Sequence, residues 1–399
     1  MRTITESLET PVREYYDVIV CGGGMAGVAA AVSAAREGSS VLLIEKSIQL
    51  GGLATIGLIS WYEPLCDGKG KRIMNGMTYE LLQLCMRYGF HTLNDCWKNG
   101  AVKVDTKERV CTYFSHSLMM LALDSFVLDA GVNVLLDTSV VATCVQERRV
   151  KGVFVENKDG RSFYRCGAVI DCTGDADVAI RSGLRYEDGE SYLTYIAYQS
   201  DLATCALSAE SGNIMDSRNW SSFGSDMKGN GHPDDLPYYK GISGVAVTDF
   251  VLRGRRMLFD QIAQQEPFSR DVTVLPSMPQ YRKTRRILGN MTLCESDAGK
   301  HAHTSVAALP DFTKRGVIYE IPYETLFHEQ VENLFVAGRC ISSTGWAWDV
   351  TRVIPGVTAT GQACGVAAAL CCREHVSNHR LCVGTLQNAL QKQGVWLHF

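Results

Sequence analysis

Three arginines fall within five residues, Arg282, Arg285 and Arg286, in the stretch Arg282-Lys-Thr-Arg-Arg-Ile-Leu-Gly289. A guanidinium stays charged at any physiological pH. Its planar fork of N–H donors suits a bidentate grip on a carboxylate. His301 and His303 follow, flanking Ala302. In an extended chain, residues two apart share a face, and imidazole titrates near neutrality, so this pair suits acid–base work on a gripped substrate. The competing readings are a solvated or bridging basic face for the arginines and ordinary surface histidines for the pair. Without a third ligand nearby in the sequence, the two histidines do not make a metal site, and no metal is expected.

Such groups need a scaffold, and the N-terminal region supplies one. Tyr16-Asp-Val-Ile-Val-Cys-Gly-Gly-Gly-Met-Ala-Gly27 starts with an apolar strand and ends in glycines. Gly22, Gly24 and Gly27 fit G-x-G-x-x-G. The first glycine serves the tight turn, the second the close approach of a pyrophosphate, and the third the packing of helix on strand. Met25 to Glu37 is rich in Ala, Val and Ser and reads as the helix, with Met25 and Ala26 at its positive end, where free N–H groups favour phosphate. Gly38 stops it, Val41 to Ile44 forms the next strand, and Glu45 stands at its end with Lys46 beside it. A carboxylate there accepts ribose hydroxyls and repels a 2′-phosphate. The unit therefore predicts a dinucleotide site.

Three further segments narrow the reading. Gln49-Leu-Gly-Gly-Leu-Ala-Thr55 follows the acid directly. Ala168-Val-Ile-Asp-Cys-Thr-Gly-Asp-Ala-Asp177 is an apolar strand ending in Thr173-Gly174. Asn333-Leu-Phe-Val-Ala-Gly-Arg-Cys-Ile-Ser342 is another, ending in Gly338-Arg339, with a small-residue helix from Gly356 to Cys372 after it. With the arginine stretch, Tyr319-Glu-Ile-Pro-Tyr323 and Val350-Thr-Arg-Val-Ile-Pro355, these pieces resemble the FAD-dependent oxidoreductases of the glutathione-reductase-like superfamily. Within it they resemble the short bacterial flavoproteins related to the fumarate reductase and succinate dehydrogenase flavoproteins. The resemblance covers most of the chain outside residues 186 to 275. It is specific for FAD and far less so for substrate, because this fold hosts many chemistries.

The resemblance implies roles residue by residue. Gly22, Gly24 and Gly27, with Met25 and Ala26, would meet the pyrophosphate, and Glu45 the adenosine ribose with Lys46 adjacent. Gly51, Gly52, Leu53 and Thr55 would follow the ribityl chain, Thr55 through its hydroxyl. Val140 or Val141 would pass the adenine, and Thr173 and Gly174 would close that side. Gly338 and Arg339 would lie by the pyrophosphate and ribityl group, Arg339 replacing the acid many relatives carry. Gly356 and Val357 would aim N–H groups at the pyrimidine edge of the flavin, where hydride arrival builds negative charge. No histidine follows Gly51-Gly52 where covalently flavinylated relatives carry one, so the FAD is expected to be non-covalent.

The rest of the chain sets limits. Its 399 residues leave room for two domains, and 46% hydrophobic with 21% charged residues is ordinary for a globular enzyme. A formal net charge of −4 without a basic run argues against nucleic acid. Residues 1–14 show no signal-peptide core and no apolar stretch reaches transmembrane length, so a cytoplasmic protein with no membrane partner is expected. The fifteen cysteines are scattered and lack a C-x-x-C, which suits reduced core packing rather than disulfides, an iron–sulfur cluster or a redox dithiol.

A helix is predicted over Ser115–Ala130 and strands over Val132–Leu136, Val140–Gln146, Val150–Glu156 and Ser162–Cys166, the last three as a meander returning to a separate strand at Ile170. Residues 211–243 read as long loops. The expected fold class is α/β, with a Rossmann-like FAD-binding domain (1–185 and 326–399), its β-meander, and an inserted α+β substrate domain (186–325). Trp61, Tyr62, Trp346 and Trp348 are candidates to wall the flavin ring, and Asp349 and Arg352 to pair at its edge.

No second glycine fingerprint marks a nicotinamide domain. The expected activity is hydride transfer between flavin N5 and a small organic substrate, as dehydrogenase or ene-reductase. The alternatives are an NAD(P)H-dependent flavin monooxygenase and a non-redox FAD-holding or tRNA-modification-related protein. The electron partner and oligomeric state are open.

Overall fold

The computed structural model of the chain describes residues 3–399; Met1 and Arg2, part of the polar lead-in expected over residues 1–14, lie outside the described residues. A seven-stranded sheet forms its centre. Val12–Cys21 pairs in parallel with Val41–Ile44 on one side and with Gly160–Asp171 on the other. Asn133–Leu135 continues the parallel set beyond Val41–Ile44, and Leu334–Val336 joins it against Gly160–Asp171. Val41–Ile44, Leu334–Val336 and the last four residues of Val12–Cys21 are apolar and buried on both faces, as a parallel sheet between helices requires.

The meander is built from Ser139–Gln146, Arg149–Asn157 and the start of Gly160–Asp171. The sequence reading divided that last strand in two. The structure makes it one strand of 12 residues. Its first half carries the antiparallel meander, its second half carries Leu334–Val336, and Val12–Cys21 runs along both. Gly167 marks the break in hydrophobicity, but it is there for space: a Cβ would lie 2.8 Å from the Tyr15 hydroxyl and 2.9 Å from Cys372 Sγ.

Helices Met25–Arg36 and Ile354–Glu374 cross on one face of the sheet at very short range. A Cβ on Gly361 would lie 2.1 Å from the Ala26 carbonyl oxygen, and one on Gly365 2.2 Å from that of Ala30. Alanine and glycine fill the seam because nothing larger fits. We expect Gly365→Val to destabilise the protein by roughly 3 kcal/mol or more through overpacking against backbone, read from urea unfolding midpoints. Among the described residues, Ile354–Glu374 is also the one helix long and apolar enough to cross a membrane, and 94% of that window is buried inside the protein. The sequence reading found no stretch of that length. Its alanines, glycines and cysteines are apolar because they pack on the first helix and the sheet.

Residues between the two parts of this unit form smaller sheets. Asn219–Gly224, Thr194–Asp201 and Arg270–Val274 make an antiparallel trio, with helix Gly244–Ile262 lying on Tyr195 through Gly254. The Asn219–Gly224 strand corrects the all-loop reading of 211–243. It has one aromatic per face, Trp220 and Phe223, too few to show a periodic pattern. Tyr186–Asp188 pairs with Arg285–Ile287. The hairpin Ser305–Pro310 with Ile318–Pro322 packs Val306, Leu309, Tyr319 and Ile321 into the main core beside the C-terminal helices.

Candidate active site

The glycine fingerprint works by distance. A Cβ on Gly22 would sit 2.4 Å from the Cys172 carbonyl oxygen, and one on Gly27 1.7 Å from that of Gly22. The first and third glycines are thus compelled by the protein itself. A Cβ on Gly24 would meet nothing within 4 Å, so the second glycine guards empty space over the helix N-terminus. The Gly51-Gly52 turn folds back onto this loop: the Gly51 N–H donates to the Gly23 carbonyl at 2.8 Å, and a Cβ on Gly52 would come 3.1 Å from Gly24 Cα.

Glu45 is seated beneath the loop. Its carboxylate accepts from the Gly23 N–H at 2.6 Å and the Ser47 N–H at 2.8 Å. The Thr138 and Asp137 N–H groups bond the Glu45 and Ser47 carbonyls, which brings the start of the Val140-Val141 strand alongside; Lys46 is exposed next to it. At the other end, Gly338 turns over the first helix. A Cβ there would lie 3.2 Å from Ala26 Cβ and 4.0 Å from Val357. The helix carrying Gly356 and Val357 starts two residues earlier than expected, at Ile354, with Pro355 in its first turn. Glu45, Gly24 with Gly52, Ala26 with Gly338, and Val357 therefore line one continuous seam, with Met25 buried and Leu53 half-buried along it.

Two expected roles change. The Thr55 hydroxyl turns inward and donates to the Leu50 carbonyl at 2.5 Å, closing the Gly51-Gly52 turn instead of projecting into the seam. Arg339 turns all three of its nitrogens to the protein. It donates to the Gly174 carbonyl at 2.6 Å and the Tyr281 carbonyl at 2.8 Å, and pairs with Asp175 at 2.8 Å. Thr284 joins the same Asp175 and Gly174 groups, while Thr173 accepts from the Asp175 and Asp177 N–H groups. Arg339 thus ties the 173–175 and 281–284 turns together.

The arginine cluster separates by function. Arg285 pairs with Asp177 at 2.5 Å and Arg286 with Glu187 at 2.5 Å, pinning their strand to its neighbours. Arg282 is different: its recorded contact is the Thr194 hydroxyl at 2.5 Å, and among the described residues no carboxylate lies within ion-pair distance of it. Burial, and then repulsion from Arg352, lower its pKa to about 10, so it remains a cation at neutral pH. Lys283 and Arg352 share Asp349, at 2.9 Å and 3.0 Å. Glu63 reaches the same end of the molecule, accepting from the Ile354 N–H at 3.2 Å where the helix begins. Burial pushes its carboxyl up to about 7 against the pull of that N–H and of Arg352. Trp348 anchors the group by donating to the Arg339 carbonyl at 2.5 Å.

His301 and His303 are not part of this cluster. They lie exposed before the Ser305–Pro310 strand, and His301 makes its contacts with His303, Glu320 and His398. The sequence reading missed Glu63; the signal available was one acid in the otherwise apolar Trp61-Tyr-Glu-Pro-Leu65. It also missed a second buried assembly. His116 stacks on Tyr198 with centroids 5.3 Å apart, and Arg218 meets both His116 Nδ1 at 3.1 Å and the Tyr198 ring at 4.4 Å. Burial, then Arg218, hold the His116 pKa at about 4, so its ring is neutral. Trp220 and Tyr113 continue this surface to Trp61.

A parallel sheet with a glycine-lined seam at its strand ends, an acid at the second strand and a charged cluster by a helix start define a dinucleotide-binding fold. The family is explicit: the model of the FAD dependent oxidoreductases matches residues 17–261 and 266–390, and the chain belongs to that family. Its cofactor is FAD. The open space at Gly24, the half-buried N-cap of the first helix, fits the pyrophosphate of that group.

Over 171 residues the chain is 28% identical to an NADH:fumarate oxidoreductase of Klebsiella pneumoniae (strain 342), a match spanning 36% of this chain and 18% of that protein. The chain thus corresponds to less than a fifth of that relative. Among solved structures, a p-nitrophenol 4-monooxygenase from Pseudomonas putida DLL-E4 aligns over 96% of this chain and 90% of its own, with TM-score 0.51 and 14% identity, which shows a shared fold. A 3-ketosteroid-delta4-(5alpha)-dehydrogenase from Rhodococcus jostii RHA1 aligns over 90% of this chain and 98% of its own, with TM-score 0.41 and 14% identity.

Proposed function

We propose that this FAD-dependent oxidoreductase moves a hydride between the flavin and a small carboxylate-bearing substrate, as a dehydrogenase or ene-reductase, with the FAD held non-covalently. The observation that carries the reading is the half-buried Arg282 guanidinium without an ion-pair partner, beside Lys283 and Arg352 sharing one Asp349. Three cations face the shared Asp349, with Asp226 acting on Arg282 from further off, and a Glu63 that is half protonated near pH 7. That excess of positive charge under partial burial attracts an anion.

FAD, when bound along the glycine seam, supplies the hydride acceptor or donor. The chain's own groups do the rest. Arg282 grips and orients the carboxylate, the Lys283–Asp349–Arg352 triad sets the field around it, Trp348 limits water, and Glu63 holds or takes the substrate proton. Residues 186–325 contribute the substrate side of this arrangement through Thr194 and the 281–284 turn. The anaerobic visible spectrum of the purified protein tests the reading. Small dicarboxylates should perturb the flavin band saturably, and a reducing or oxidising substrate of that class should change its redox state. NAD(P)H-driven oxygen uptake coupled to hydroxylation of an uncharged aromatic would replace it with a monooxygenase.

Glu63 gives a pH signature. In the folded protein its carboxyl keeps its proton up to about 7, whereas the unfolded chain releases it near 4.5. The folded state therefore binds the extra proton between those values, and stability of the cofactor-free protein falls as pH rises through that window. Glu63→Gln should abolish that fall in urea midpoints between pH 5 and pH 8. It should also remove a turnover titration centred near pH 7.

A further inference from the structure

We propose that His301, His398 and Glu320 form a binding site for a divalent transition-metal ion, separate from the flavin seam. The sequence reading set a metal aside because the His301-Ala-His303 pair had no third ligand nearby. The fold supplies one from each of two remote segments. Glu320 lies in the Ile318–Pro322 strand, where Tyr319 and Ile321 face the main core and Glu320 faces the other way. His398 is delivered by the C-terminal residues, which are laid on the same hairpin: the Ala308 N–H donates to the Trp396 carbonyl at 3.3 Å and the Ser305 hydroxyl to the Leu397 carbonyl at 2.6 Å. Val395 and Leu397 are buried, so the position of His398 is fixed by packing.

The ligand atoms are spaced for a metal. One nitrogen from each histidine and one carboxylate oxygen lie within 4.8 Å of one another. His398 Nδ1 is 2.9 Å and His301 Nδ1 3.3 Å from the same Glu320 Oε2. Tetrahedral bonds of about 2.0 to 2.2 Å to a central ion put neighbouring ligands roughly 3.3 to 3.6 Å apart, so a shift of a few tenths of an ångström at the exposed histidines admits one. The two rings are tilted at 42° rather than stacked, with centroids 4.5 Å apart, so both edges point at one place.

Without an ion the arrangement is crowded. Glu320 Oε2 also accepts the Ala302 N–H at 2.7 Å, so three nitrogens converge on a single oxygen. A cation replacing the two imidazole protons relieves that convergence, and the Ala302 N–H remains as the outer bond that orients the carboxylate. Glu320 is 2% exposed while the histidines are 55% and 39% exposed, which leaves an open entry on the solvent side and room for water ligands. Two imidazoles and one carboxylate favour zinc, nickel or cobalt over magnesium or calcium. The bound ion would staple the C-terminal residues to the hairpin.

The test uses the full-length flavin-loaded protein after EDTA treatment and dialysis. Calorimetric titration with zinc chloride should give one saturable site that magnesium chloride does not fill, and the melting temperature should rise with the logarithm of zinc concentration. The double variant His301→Ala/His398→Ala, altered at exposed positions, should keep its flavin content and lose at least about tenfold in zinc affinity, together with the zinc-dependent melting shift. His328→Ala, at a histidine remote from the cluster, controls for adventitious binding and should bind zinc as the parent does. Equal affinity in the double variant and the parent, or no saturable binding in the parent at millimolar zinc, would overturn the proposal.

Discussion

Replacing Gly24 with alanine should leave the chain folded and as stable as the parent, yet cost it most of its flavin. Gly24 sits at φ −67°, which any L-residue adopts, and a Cβ there meets no protein atom within 4 Å. The added methyl group therefore strains nothing in the apoprotein, and the expected change in unfolding free energy is within about 0.5 kcal/mol. It does occupy the space over the helix N-terminus that the pyrophosphate needs, so FAD affinity should fall by roughly tenfold or more.

Gly27→Ala should behave in the opposite way. Its Cβ would stand 1.7 Å from the Gly22 carbonyl oxygen, so the turn itself must open, and both melting temperature and flavin content should drop together. Flavin absorbance per chain and thermal melts of the stripped proteins measure the two quantities separately. If Gly24→Ala retained full flavin occupancy under dilution, the seam described here would not be the pyrophosphate site.

Sequence alone revealed this seam because close backbone approach demands one residue type. Gly22, Gly27, Gly361 and Gly365 each face a backbone carbonyl at a distance no Cβ tolerates, so the requirement is written in the residue itself. Parallel strands buried on both faces are equally legible, as Val41–Ile44 is. Side-chain partnership is not. Whether Arg282, Arg285 or Arg286 is available for a ligand depends on Asp177 and Glu187, which lie about a hundred positions away in the chain. Arg339 reads as a phosphate ligand by its place after Gly338, and only the packing of two turns shows that it also ties them together. Glu63 and the Glu320–His398 convergence were hidden for the same reason: the groups that give them meaning come from other elements.

The difference among the arginines leads to the second large effect. Arg282→Met should cost turnover of a carboxylate substrate by roughly 100- to 1,000-fold, the range typical of removing one charged or polar donor from a reacting group. Stability should hold or rise, because the guanidinium is half-buried, bonds the Thr194 hydroxyl without an ion pair, and feels repulsion from Arg352 ahead of the pull of Asp349 and Asp226. Removing a half-buried charge that has no direct ion pair relieves desolvation and the repulsion at once, and a thioether fills similar volume. Arg285→Met and Arg286→Met should do the reverse. Each breaks a pair that pins a strand or turn, Arg285 to Asp177 and Arg286 to Glu187, so each should lower stability by roughly 1 kcal/mol while leaving carboxylate binding nearly intact. The measurement is carboxylate-induced perturbation of the flavin spectrum set beside urea unfolding for the three variants. Loss of binding in all three would mean that the cluster acts as one basic face. Loss in Arg282→Met alone, with stability held, assigns the grip to the one guanidinium of the three that makes no ion pair.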